Sequence, residues 1–134
     1  MKKVIFLSFI LIMSYFSGIA QTQKKGTSDQ PSSKVEAFYF HNTTRCVTCK
    51  AVEAEAKADL ESLYGKQVTF TALNLEEDTT NPIAEKLKVS GQTLLLVKGE
   101  RQINLTNEGF LYARTNPAKF KKIIKENVDK LLEL

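Results

Sequence analysis

The sequence predicts an α/β domain in which helices cover a mixed β-sheet, in the order β-α-β-α-β-β-α. Segments with strand patterns alternate with segments of helical periodicity, and 134 residues leave room for one domain. The composition is 43% hydrophobic and 25% charged, which favours a compact core and excludes wholesale disorder. Two cysteines exclude a disulfide-rich scaffold, and a single histidine excludes a multi-histidine metal site within one chain.

Residues 1–20 show the three-part pattern of a secretory signal peptide. A basic start precedes an apolar run from Val4 to Phe16, and Gly18 and Ala20 are small residues suited to a cut after Ala20. The alternative is an uncleaved membrane anchor, but the run is shorter than the roughly 20 residues that a spanning helix needs. We therefore expect an exported, periplasmic protein that meets the membrane only during export.

Residues 21–33, QTQKKGTSDQPSS, are predicted to form a flexible linker, because they contain no apolar side chain that could pack. The folded domain is expected over residues 34–134. The whole chain carries a net charge of +4, and without the leader 17 basic residues face 15 acidic ones. Such a small excess argues against a nucleic-acid partner, which usually requires a clear basic surface.

The first half of the domain begins with a strand over Val35–His41, where β-branched and aromatic residues are concentrated. A helix is predicted from Cys49 to about Tyr64, with apolar residues at helical spacing, and Gly65 ends it. The alternating segment Val68–Leu75 predicts a second strand.

The second half contains two Asn-Pro pairs, each typical of a helix N-cap followed by proline at the first helical position. Asn81 is expected to open a short helix that ends near Leu87, and the apolar run Thr93–Val97 predicts a strand buried on both faces. A hairpin then leads into Arg101–Leu105. Asn116 is expected to cap the last helix, whose buried face comprises Phe120, Ile124, Val128 and Leu131.

The two cysteines form a C-x-x-C motif that follows the first strand and opens the first helix. A helix N-terminus stabilises a thiolate, so we expect the pKa of Cys46 to fall below the free value of about 8.5. Arg45 and Lys50 should support this effect. Cys46 is then the attacking thiolate and Cys49 the resolving thiol of a redox-active Cys46–Cys49 disulfide. The alternative is a purely structural bridge, but so short a loop adds little loop-entropy stabilisation.

The domain resembles the thioredoxin-like superfamily over most of its length. The similar segments are VEAFYFHNTTRCVTC, VTFTALNLEED and VSGQTLLLVKGE, which occur in the expected order. The resemblance implies a thioredoxin-like fold and a redox partner protein that is bound through a transient mixed disulfide.

Two longer strings, FYFH-x-x-x-RC-x-TC and GFLYARTNPAKFK, resemble a narrower group of exported bacterial proteins, the nitrophenyl-compound nitroreductase subunit family (ArsF-like). This resemblance implies an accessory redox subunit that relays electrons. The sequence shows no flavin, haem or iron–sulfur motif, so we expect no cofactor. If the chain is an enzyme, it is expected to be a thiol–disulfide oxidoreductase.

The chain departs from ordinary thioredoxins around the motif. Arg45 replaces the tryptophan before the first cysteine, and Val47–Thr48 replace the Gly-Pro pair. Where thioredoxins have a cis-proline, residues 91–93 read Gly-Gln-Thr, so we expect a trans bond before Thr93, a supporting residue of the site. Aromatic residues 38–40 stand where thioredoxins bury an acid.

Two weaker hypotheses remain open. Cys46, Cys49 and His41 offer three of the ligands that Cu(I) or Zn²⁺ prefers, so a metal-handling or non-catalytic adaptor protein is the alternative function. A fourth ligand would have to come from a partner. Tyr112-Ala113-Arg114 is predicted to lie in the loop before the last helix, where it either forms a partner surface or packs beneath that loop.

Overall fold

The computed structural model describes residues 34–133, which form a mixed sheet with flanking helices. The predicted signal peptide and linker lie outside these residues. Within them the strand order is β2-β1-β3-β4, with β1 parallel to β2, antiparallel to β3, and β3 antiparallel to β4. The strands are β1 (Val35–His41), β2 (Val68–Asn74), β3 (Thr93–Lys98) and β4 (Arg101–Asn104).

Three of the four helices lie where the sequence predicts a helix, with α1 beginning two residues earlier than expected. Gly65 ends α1 with a backbone φ of +53°, a conformation that glycine adopts without steric cost. No helix of the described part is long and apolar enough to cross a bilayer. The helices are α1 (Val47–Tyr64), α2 (Asn81–Lys86), α3 (Thr106–Tyr112) and α4 (Pro117–Leu132), with a 3-10 turn over Gly65–Gln67.

Helix α3 was not predicted, and the placement of Tyr112 in a loop is wrong, because Tyr112 is the last residue of this helix. Gly109 explains why the sequence pattern of α3 is weak and why this helix can pack close to α1. Glycine disfavours a helix interior, which weakens the sequence pattern. The same residue allows α3 to approach α1, since an ideal Cβ on Gly109 would lie 2.9 Å from Val52 Cγ1.

The two Asn-Pro pairs do not act alike. The Asn116 side chain accepts a hydrogen bond from the Lys119 N–H at 3.1 Å and caps α4 as predicted. The prediction that Asn81 caps α2 is wrong: Asn81 lies inside the helix, and Thr80 precedes it without a side-chain cap. The short α2 therefore lacks the local bond that fixes the start of α4.

The sheet has two unequal faces, which β1 serves alternately. Ala37 and Tyr39 point to the face covered by α1, α3 and α4, here called the three-helix face. Phe38 and Phe40 point to the one-helix face, covered by α2. The three-helix face holds the larger core, whose fully buried members include Tyr39, Val52, Leu60, Leu94, Leu96, Phe120, Ile124, Val128 and Leu131.

The end of β1 positions the cysteine motif. β1 ends at His41, and after a short turn α1 begins at Val47, so the cysteines lie at this end of the sheet. β3 runs antiparallel to β1 with Thr93 opposite Phe40, which brings the loop before β3 to the same end. Two segments far apart in the chain therefore meet at the C-x-x-C motif.

Candidate functional site: the Cys46–Cys49 disulfide

Cys46 and Cys49 are joined by a disulfide, with their Cα atoms 5.1 Å apart. Cys46 is the N-cap of α1, and its Sγ accepts a hydrogen bond from the Cys49 N–H at 3.1 Å. Cys46 is exposed, whereas Cys49 is only 5% exposed. A thiolate from outside can therefore reach the sulfur of Cys46 and not that of Cys49, which is the asymmetry that a nucleophilic and a resolving cysteine require.

The backbone of Cys49 is held by Tyr39 of β1. The Tyr39 hydroxyl donates to the Cys49 carbonyl at 2.9 Å, and Tyr39 is fully buried. Its oxygen in turn accepts a hydrogen bond from Gln92 Nε2 at 3.0 Å. Burial raises the pKa of Tyr39, against smaller opposing effects of the Gln92 hydrogen bond and the charge of Arg45. The phenol therefore stays protonated and keeps donating at neutral pH.

The other end of the Gln92 amide faces the disulfide. Gln92 Oε1 lies 3.5 Å from Cys49 Sγ. In the disulfide this sulfur carries no hydrogen, so the approach is a contact between two acceptor atoms rather than a hydrogen bond. Cys49 can donate a hydrogen bond to Gln92 Oε1 only when it is a free thiol.

The two predicted basic supports differ in their surroundings. Arg45 forms an ion pair with Glu53, and both side chains are half-buried. Glu53 therefore neutralises much of the positive charge that was expected to act on Cys46. Lys50 is exposed, and its backbone N–H donates to the Cys46 carbonyl at 3.1 Å, which closes the first turn of α1.

Thr93 and His41 make contacts with their own loops. The Thr93 hydroxyl donates to the Gly91 carbonyl at 2.9 Å, and the bond before Thr93 is trans, as expected, since residues 34–133 contain no cis peptide bond. His41 Nδ1 lies 2.9 Å from the Asn42 carbonyl. In the described part of the chain no three His, Cys, Asp or Glu side chains are grouped so that they could hold a metal ion.

The segment before α4 lies beside the motif. Ala113 is buried, but Arg114 is exposed, and its Nη1 approaches the Thr48 hydroxyl to 3.5 Å. Val47, the other residue between the cysteines, is 69% exposed. Ala113 therefore packs, and Arg114 borders the surface that surrounds Cys46. A partner surface at this segment stays a prediction.

A cleft of about 510 Å³ lies on the other side of Gln92, along the loop before β3. Its polar lining includes Lys88, Ser90 and Gln92 from this loop, and Gln102 and Asn104 from β4. Gln92 therefore lies between the cleft and the disulfide.

Tyr39 and Gln92 are the site residues that the sequence did not assign. Tyr39 carries the one hydroxyl in β1, on the side of the strand where Val35 and Ala37 are apolar and buried. Gln92 directly precedes β3, at the position where ordinary thioredoxins have a cis-proline. A buried hydroxyl needs a partner, and this requirement is the signal that could have linked the two residues.

Solved structures share the fold of this chain. The protein Trxlp from Edwardsiella tarda EIB202 is 19% identical, with a TM-score of 0.52 over 73% of this chain and 88% of that one. Thioredoxin O2 from Arabidopsis thaliana, in its oxidized state, is 21% identical, with a TM-score of 0.48 over 70% and 75%. No protein-family model and no curated protein sequence matches the chain. The fold is thus thioredoxin-like, and it carries a C-x-x-C disulfide at the start of α1.

Proposed function

We propose that the protein is an exported accessory subunit that relays electrons through Cys46 and Cys49. The observation that carries this proposal is a disulfide at the start of a helix, with one exposed and one buried cysteine. A structural staple does not need this asymmetry, whereas disulfide exchange does.

The reaction moves two electrons in two steps. A thiolate of the partner attacks the exposed Cys46 sulfur, the Cys46–Cys49 bond breaks, and Cys49 leaves as a thiolate that takes a proton from water. A second thiolate of the partner then attacks the partner's first sulfur, which is bonded to Cys46 in the mixed disulfide, and Cys46 is released as a thiolate. The partner dithiol is oxidised to a disulfide and this protein is reduced to the dithiol; the opposite direction follows the same steps in reverse.

Export and the accessory role are supported by the sequence. The pattern of residues 1–20 is that of a signal peptide. The strings around the cysteines and before the last helix resemble the nitrophenyl-compound nitroreductase subunit family. In the structure, residues 109–121 of the second string include the second half of α3 and the start of α4, and Arg114 approaches Thr48 between the cysteines. The two strings thus border one surface, where a partner would bind.

The test uses Cys49→Ser and Cys46→Ser variants, each expressed as the full chain in its native host. In Cys49→Ser the Cys46 thiolate can still attack a disulfide of the oxidised partner, but the resolving thiol is missing, so a covalent mixed disulfide with the partner should accumulate. Non-reducing electrophoresis should show a shifted band that disappears on reduction, and mass spectrometry should identify the partner. Intact mass of the exported protein should show Gln21 as its first residue.

Cys46→Ser is the matched control, because it retains one thiol in the same motif but buries it. This variant should trap nothing. Adducts on Cys46→Ser alone would reverse the roles of the two cysteines. No adduct with either variant, together with equally slow alkylation of both thiols in the reduced protein, would show that the disulfide is structural. A full-length chain lodged in the membrane would contradict export.

A further inference from the structure

We infer that Gln92 is a positioning residue that holds the buried Cys49 as a thiol and thereby biases the site towards its dithiol form. The inference deepens the proposed function, on which it rests, because it concerns the direction in which the pair exchanges electrons. It arises from the three-residue chain of contacts that joins Gln92, Tyr39 and Cys49.

The orientation of the Gln92 amide follows from its partners. The Cys49 carbonyl can only accept, so the single proton of the Tyr39 hydroxyl is used there. The Tyr39 oxygen then needs a donor, and the amide of Gln92 can supply one only from Nε2. Its oxygen, Oε1, must therefore face Cys49 Sγ. A buried tyrosine thus fixes which end of the amide the sulfur meets.

The contact between Gln92 and Cys49 stabilises the two redox states to different extents. In the disulfide, Oε1 and Sγ are both acceptors and gain nothing from their 3.5 Å separation. In the dithiol, the Cys49 thiol donates its proton to Oε1. The amide oxygen faces the sulfur in both states, so reduction adds a hydrogen bond without requiring the side chain to move.

Cys46 responds to reduction in the same direction. The Cys49 N–H donates to its sulfur at 3.1 Å, and this bond strengthens when the sulfur becomes a thiolate. Both sulfurs are therefore better hydrogen-bonded after two electrons arrive than before. The site favours electron uptake from a dithiol of the partner, and the reverse reaction is opposed because Cys49 must first give up the proton held by Gln92.

The variants test the role of the Gln92 amide. Gln92→Met keeps the length of the side chain but removes both the donor and the acceptor. Gln102→Met is the matched control, because Gln102 lines the same cleft from β4 and belongs to none of the contacts at the disulfide. Tyr39→Phe is a second variant: it keeps Gln92 and removes the hydroxyl that orients its amide and that also donates to the Cys49 carbonyl.

The first measurement is the equilibrium of each full-length variant with reduced and oxidised glutathione. Gln92→Met should raise the equilibrium constant for disulfide formation by about two- to fivefold, the effect of one weak hydrogen bond. Tyr39→Phe should shift it in the same direction. Gln102→Met should leave it unchanged. A constant that is equal in Gln92→Met and Gln102→Met, or lower in Gln92→Met, overturns the inference.

The second measurement needs no redox exchange. In Cys46→Ser, Cys49 is the single thiol, and a hydrogen bond to Gln92 lowers the frequency of its S–H stretch in the infrared. Adding Gln92→Met should raise that frequency, and adding Gln102→Met should not. An unchanged frequency with Gln92→Met contradicts the inference even where the glutathione constant has shifted. Failure of the wild-type cysteines to exchange with glutathione at all would instead count against the proposed redox function.

Discussion

The two faces of the sheet differ in how they are covered. Helices α1, α3 and α4 bury the three-helix face under a large apolar core, whereas the short α2 covers a smaller cluster on the one-helix face. The cleft of about 510 Å³ opens on this second side, where Leu87 and Leu95 belong to both the cluster and the cleft wall. The three-helix face is closely packed, whereas the one-helix face borders an open cleft.

The disulfide draws on both regions. Tyr39 reaches it from within the core of the three-helix face, and Gln92 reaches it from the loop that borders the cleft. The buried Tyr39 therefore orients Gln92, which lies in the more open region. This arrangement predicts that stability resides mostly on one face. Three pairs of matched substitutions test that difference, and a fourth pair compares two carboxylates on helices of the three-helix face.

The largest expected effect comes from adjacent leucines of β3 that point to opposite faces. Leu94 is 1% exposed on the three-helix face, and Leu95 is 4% exposed beside the cleft. Leu94→Ala should lower the free energy of unfolding by about 3–5 kcal/mol and Leu95→Ala by about 2–3 kcal/mol, because the site next to the cleft can collapse more easily. Urea denaturation measures both. An equal or larger loss for Leu95→Ala would contradict the comparison.

Two glycines provide the next test. Alanine at Gly109 would place its Cβ 2.9 Å from Val52 Cγ1, so it should cost about 1–2 kcal/mol despite its better helix propensity. Alanine at Gly91, beside the cleft, would meet no heavy atom within 4 Å and should change stability by less than about 0.5 kcal/mol.

The double variant Val52→Ala, Gly109→Ala sharpens this test. Val52→Ala removes the methyl groups that Gly109→Ala meets, so in that background the glycine substitution should be neutral or stabilising. Thermal unfolding of the four proteins gives the coupling. If the cost of Gly109→Ala is the same in both backgrounds, Val52 does not set the distance between α1 and α3.

The helix caps are expected to differ by less. Asn116 caps α4, so Asn116→Ala should cost about 1 kcal/mol. Asn81 has no such role in α2, and Asn81→Ala should lie within about 0.5 kcal/mol of the parent in chemical denaturation. Equal losses at the two positions would mean that α2 depends on a cap as much as α4 does.

The smallest effect concerns Asp59, a carboxylate buried between α1 and α4. Its Oδ1 lies 3.4 Å from Lys121 Nζ, while Oδ2 has no hydrogen-bond partner. Burial raises the pKa of Asp59 above its ordinary value of 3.8, against the opposing effect of Lys121. The folded protein holds this proton more tightly than the unfolded chain, so this group lowers stability as the pH rises above 3.8 through the raised pKa.

Asp59→Asn should remove that loss, so its stability relative to the parent should improve as the pH rises through this window. Asp129→Asn should show the opposite trend, because Lys125 and Tyr64 lower the pKa of Asp129 and its contribution is lost as the pH falls below 3.8. Urea midpoints measured across pH give both slopes. Slopes of the same sign would contradict the assignment for Asp59.

The sequence predicted the elements whose pattern is local. β1 was predicted with its observed bounds, because β-branched and aromatic residues are concentrated in it, and α4 was predicted from its cap and its apolar spacing. Helix α3 was missed because its seven residues contain Gly109, whose reason for being there lies in α1. When a residue is required by a contact with a segment far away in the sequence, the neighbouring residues do not reveal that requirement.

The site divides in the same way. The cysteine pair could be found from its spacing and its place before a helix, since both are features of adjacent residues. The Gln92–Tyr39 bond joins residues 53 positions apart, and only the antiparallel register of β1 and β3 brings them together. The pairing of Arg45 with Glu53 was also missed, although the two lie eight residues apart at the start of α1.

Cys46 is both the cap of α1 and the exposed sulfur of the disulfide. The acceptor strength of a serine or aspartate cap does not depend on redox state. The acceptor strength of the Cys46 sulfur changes when the disulfide is reduced. A thiolate accepts the Cys49 N–H more strongly than a disulfide sulfur does. The first turn of α1 should therefore exchange its amide hydrogens more slowly after reduction, so that backbone motion reports the redox state.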